Sequence, residues 1–114
     1  MWVNEDPHTR GITQVELTFS NGFKSTKPPL QLTQFYGVHL WGSCSPTDCD
    51  WGHVNAQYSS STGYTAEYLQ SFATREVTAK VITTQDDRLW LQVSTDFLNP
   101  EREDYVMSGW FIRQ

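Results

Sequence analysis

The sequence predicts an all-β fold, a single antiparallel up-and-down barrel of about eight strands formed by residues 1–114 as one domain. Three observations carry this. Apolar and polar side chains alternate with period two over most of the chain. Strand-forming aromatic residues are abundant, with five Trp, five Tyr and six Phe. Turn residues recur at the short intervals of sandwiches and barrels. Short connections pair sequential strands as a meander, and closing the meander removes its two exposed edges. A β-sandwich is the second reading. An open sheet packed on one helix over residues 64–72 is the third.

The elements follow in order. Within residues 13–19, Val15, Leu17 and Phe19 share one face, and Gln14, Glu16 and Thr18 the other. Ser20-Asn21-Gly22 predicts a break, because Asn-Gly readily takes positive φ. Residues 24–30, with Pro28-Pro29, read as a loop or edge segment. Residues 32–41 read as a long strand and 51–59 as its partner, with a loop over 59–63. Residues 64–69 read as a strand, although Tyr64, Tyr68 and Phe72 also share a helix face. Val77, Ala79 and Val81 alternate with Thr78, Lys80 and Ile82, and Gln85-Asp86-Asp87 makes a turn. Leu89, Leu91, Val93 and Phe97 alternate with Arg88, Trp90, Gln92 and Asp96. Asn99-Pro100-Glu101-Arg102 turns again, and residues 105–112 close the chain. The predicted interior is Val15, Leu17, Val38, Leu40, Val54, Ala56, Val77, Ala79, Val81, Leu89, Leu91 and Val93.

A formal net charge of −5, with no Lys/Arg cluster, argues against nucleic acid and anionic membrane surfaces as partners. No apolar run approaches the roughly 18 residues of a membrane-spanning helix. The N-terminus lacks the basic and apolar regions of a signal peptide, so a literal reading places the chain in the cytoplasm. No Gly-rich phosphate loop, G-x-S-x-G or H-E-x-x-H occurs. Ser43, His39 and Asp48 can be drawn as a triad, but so can many other triples. Glu16, Glu67 and Asp96 offer carboxylates that no context singles out. The expectation is a protein without cofactor and, more than an enzyme, a binder.

One stretch stands apart, His39-Leu40-Trp41-Gly42-Ser43-Cys44-Ser45-Pro46-Thr47-Asp48-Cys49-Asp50-Trp51-Gly52-His53. It is nearly symmetric about Pro46, so a regular hairpin sets Trp41 opposite Trp51 and His39 opposite His53. Cys44 and Cys49 have three readings. A disulfide closing this loop stabilises by about 2 kcal/mol on the chain-entropy model. Reduced thiols follow in a cytosolic setting. Zinc is the weakest, held by His39, Cys44, Cys49 and His53, at a spacing unlike that of a usual finger.

The segment from Trp41 to Gly52 resembles a motif of small bacterial β-domains of unassigned function. Trp2-Val3-Asn4-Glu5-Asp6-Pro7, Thr9-Arg10-Gly11-Ile12-Thr13 and residues 95–105 look loosely like its other segments. That resemblance implies no reaction. The Trp-x-Asn opening and the meander also look like the avidin and lipocalin barrels, at the level of architecture alone.

The expected function is binding of a carbohydrate or small amphipathic molecule through Trp41, Trp51, Trp90, His39 and His53. Trp90 sits on the polar face of its strand between Arg88 and Gln92, where a Trp marks a contact surface or is covered by another element. Trp110 is a further member. The same aromatic residues equally suit a homodimer face, or plain core and barrel-plug duty.

Overall fold

The computed structural model describes residues 1–23, 32–82 and 87–114. The strands are β1 (Trp2–Asn4), β2 (Ile12–Phe23), β3 (Leu32–Gly42), β4 (Cys49–Ser59), β5 (Gly63–Leu69), β6 (Ala73–Ile82), β7 (Arg88–Phe97) and β8 (Tyr105–Arg113). Each pairs antiparallel with the next, and β8 pairs with β1, so the sheet closes into an up-and-down barrel. No helix occurs among the described residues. The segment carrying Tyr64 and Tyr68 is β5.

The period-two pattern is what fills the barrel. Val15, Val38, Leu40, Ala79, Leu89 and Val93 are completely buried, and Val77 and Leu91 nearly so. Leu17, Val54, Ala56 and Val81 pack against them half-buried. All twelve predicted interior positions therefore line the lumen. Burying one such Val or Leu side chain stabilises by roughly 1.5–3 kcal/mol. Trp2, Ile12, Tyr68, Ala73 and Phe111 complete the core.

Two readings of the first third need correction. Asn21 and Gly22 do not break β2. They pair with Gln34 and Thr33 of β3, because that long partner strand continues the ladder and outweighs local turn preference. The strand that closes the barrel is Trp2–Asn4, which pairs at Trp2↔Val15 and Trp2↔Arg113. Three residues are too few to show periodicity. The segment 24–30, read as a loop or edge, and Gln85-Asp86 lie outside the described residues. The turn after Asn99 is present, with the Arg102 amide donating to the Asn99 carbonyl at 3.1 Å.

The strand ends define two rims. One gathers the β4–β5 connection and both chain termini. The other gathers the β1–β2, β3–β4, β5–β6 and β7–β8 connections, and below it is called the hairpin rim. On the first rim Phe19, Tyr36, Tyr58 and Tyr64 form an aromatic cluster, with Tyr36 and Tyr58 stacked at 5.2 Å.

Candidate ligand-binding site

The β3–β4 hairpin is less symmetric than its sequence. His39 does pair with His53, but the register then slips, and Trp41 pairs with Asp50. The cause is a β-bulge that places one extra residue in β4. It is hosted at Gly52, whose φ of 84° suits a residue without Cβ. The expected Trp41–Trp51 facing pair is therefore absent. Trp41 stays on the outer surface, stacked on His39 at 3.9 Å and 7°. Trp51 turns inward over Gly42, where a Cβ would come within 2.8 Å of its indole nitrogen. Inside, Trp51 meets Tyr68 edge-on at 5.7 Å.

A bulge interrupts the ladder, and Tyr68 repairs the break. Its hydroxyl accepts from the Leu40 amide at 3.1 Å and donates to the Gly52 carbonyl at 2.6 Å. Burial pushes the Tyr68 phenol up to about 12, against the lowering effect of the Leu40 amide.

On the outside, the His39 ring bonds the Asp50 carboxylate, which also accepts from the Gly52 amide at 2.7 Å. The Gly52 amide first, then His39, holds the Asp50 carboxyl below its usual value. His53 lies over Gly37, with Nε2 3.2 Å from the Thr18 hydroxyl. At the tip the Ser45–Pro46 peptide is cis and Cys44 and Cys49 form a disulfide. Both sulfurs are thus engaged with each other. Among the described residues no group of three or more His, Cys, Asp or Glu side chains is arranged to hold a metal.

Trp90 is across the barrel from this hairpin. It pairs with Trp110 on the outer face of β7 and β8, the rings 5.0 Å apart. Arg88 lies over Trp110 at 4.5 Å and bonds Glu5. The five expected contact residues therefore occupy three places. His39, His53 and Trp41 are outside on β3–β4, Trp51 is in the lumen, and Trp90 is outside on β7.

The lumen itself is incompletely filled. A half-open cavity of about 180 Å³ lies inside β7 and β8, beneath the β1–β2 connection. Its floor is apolar, formed by Ile12, Leu91, Val93, Met107 and Phe111, and Asn4 and Thr9 add polar groups at its edge. Asn4 is fixed in place, its side-chain amide donating to the Ile12 carbonyl at 2.9 Å and its oxygen accepting from the Asp6 amide. Gly109 faces this space, where a Cβ would meet only the Asn4 amide, at 3.8 Å. A larger hollow of about 390 Å³ on the outer surface of β4–β6 is lined mainly by polar residues, with Glu67 and Glu76 among them.

The sequence reading missed Asn4, Met107, Gly109 and Phe111 as cavity residues. The available signal was the alternation in β8, where Met107, Gly109 and Phe111 fall two apart. The chain matches no family model, no curated protein and no solved structure.

Proposed function

We propose that this barrel binds a small amphipathic molecule with a single ring or short apolar body, held in the lumen beside β7 and β8. The carrying observation is the half-open apolar cavity of about 180 Å³ with Asn4 at its edge. Dry apolar cavities of about 150 Å³ accept benzene, so the ligand class is ring-sized and not a long lipid. A polar group at the mouth would meet Asn4 or Thr9. This reading moves the expected contact surface from the outer Trp residues to the lumen. Binding is tested by titrating benzyl alcohol and 3-phenylpropanamide while following the Met107 methyl resonance. Saturable shifts are expected in wild type and not in Gly109→Val, whose side chain occupies the space. Absence of saturable shifts in wild type with every ring-sized probe overturns the reading.

A second reading, self-association, is favoured by the outer face of β7–β8, where Trp110, Val106 and Ile112 are exposed beside Trp90. Apolar side chains grouped on one face suit an interface. Light scattering at high protein concentration decides it, and a strict monomer removes it.

A further inference from the structure

The ladder between β4 and β5 stops short. The two strands pair only from Ala56↔Ala66 to Ser59↔Gly63. The same register would set Asn55 opposite Glu67, Val54 opposite Tyr68 and His53 opposite Leu69, and none of these pairs forms. His53, Val54 and Asn55 keep their pairing to β3, and Glu67, Tyr68 and Leu69 keep theirs to Glu76, Arg75 and Thr74 of β6. No other backbone hydrogen bond among the described residues joins the two stretches. The bulge at Gly52 bends β4 beside this point. The barrel wall therefore carries a short open edge, whose main-chain groups form a template for a further strand. The hollow of about 390 Å³ lies over the place where the strands part, since Asn55 and Glu67 both line it, with Gln57, Thr65, Glu76 and Thr78. Glu67 and Glu76 face each other across β5–β6, and no cation among the described residues lies within ion-pair distance of either. Lys80, in step with Glu76 on β6, is engaged with the Ser61 carbonyl instead. Leu69 points outward like Glu67 and is 78% exposed.

We infer that the open edge of β5 at Glu67–Leu69 docks an extended peptide of a partner protein as an added antiparallel strand. In this mode main-chain hydrogen bonds supply affinity, and alternate side chains supply specificity. The peptide residues opposite Glu67 and Leu69 fall on the outer face, two apart. The one opposite Glu67 enters the hollow and is basic, because it meets two carboxylates that no cation of the barrel neutralises. The one opposite Leu69 is apolar and covers that side chain. The residue between them points inward beside Tyr68 and is small. Antiparallel direction puts the apolar residue first, so the partner carries the order apolar, small, basic. This surface is separate from the β7–β8 cavity, and the inference is independent of the lumen ligand.

The test titrates the acetylated and amidated peptide Thr-Val-Ser-Lys-Thr into the isotope-labelled protein and follows backbone amide resonances. Saturable binding with Kd of about 1 mM or tighter is expected, with the largest shifts at His53–Asn55 and Glu67–Leu69. Glu67→Gln and Glu76→Gln, both at exposed positions that leave the fold intact, are each expected to weaken binding about threefold, the scale of an exposed ion pair. Raising the salt to about 0.5 M should do the same. A second probe with Gln in place of Lys is expected to bind about threefold more weakly to wild type and to be indifferent to both substitutions. No saturable binding of the Lys peptide overturns the inference. So do shifts centred elsewhere on the barrel, and so does equal binding of the Lys and Gln peptides by wild type.

Discussion

Replacing Tyr68 by Phe deletes one oxygen and leaves the ring in place. The loss is then confined to the bulge. The Leu40 amide loses its acceptor and the Gly52 carbonyl its donor, beneath a side chain only 3% exposed. Leaving a buried backbone group unsatisfied costs about 1–3 kcal/mol. With two groups affected, and the carbonyl nearer solvent, the expected loss is about 2–3 kcal/mol. For a domain of this size that lowers Tm by about 10 °C. Urea denaturation followed by Trp fluorescence measures it, with an unchanged m-value showing that the fold persists. The same hydroxyl makes a pH signature. Its acid form is favoured in the fold, since burial raises its pKa to about 12 from 10. Between those values the unfolded chain has released the proton and the folded chain has kept it. Stability contributed by this group is therefore whole below pH 10 and is lost as pH rises toward 12. Wild type minus Tyr68→Phe isolates that slope from the other tyrosines. A stability loss below about 0.5 kcal/mol, the low end for a single hydrogen bond, would refute the claim that this hydroxyl holds the bulge.

Five other perturbations have defined outcomes. Gly52→Ala is expected to cost about 1 kcal/mol, from positive φ alone, because nothing lies within 4 Å of the added Cβ. Gly63→Ala, also at positive φ but against the Ala79 carbonyl, should cost clearly more in the same denaturation assay. Reducing the Cys44–Cys49 disulfide should lower stability by about 2 kcal/mol without changing the circular dichroism spectrum. Glu67 and Glu76 are direct cross-strand partners of like charge, so Glu76→Lys should raise stability by a few tenths of a kcal/mol, less at high salt. Asp50 is held ionised in the fold, so its contribution is present above pH 3.8 and is lost as pH falls through the lowered value. Asp50→Asn should show a shallower acid limb in a pH-stability profile.

Alternation was enough to read the barrel, because Leu89, Leu91 and Val93 cannot point outward without exposing every one of them while burying Arg88 and Gln92. Features that violate alternation were not legible. The bulge at Gly52 moves Trp51 to the opposite face, and no pattern of side chains announces one extra residue. Arg75 and Thr95 face inward among apolar neighbours, yet in sequence they look like surface residues. The symmetry about Pro46 read His39 and His53 correctly as partners and failed two residues further on, on the far side of the slip. Trp2–Asn4 escaped notice as a strand because only Trp2 is deeply buried and three residues show no alternation.

That three-residue β1 is the seam of the barrel. It meets β2 at two residue pairs and β8 at three, whereas β6 and β7 share ten. Thermal opening must begin where the fewest backbone bonds are broken. When Trp2 comes away, the flanks of β2 and β8 become bare strand edges, able to recruit an extended segment from another molecule. In this molecule, resistance to aggregation is decided by how firmly one tryptophan near the start of the chain stays seated.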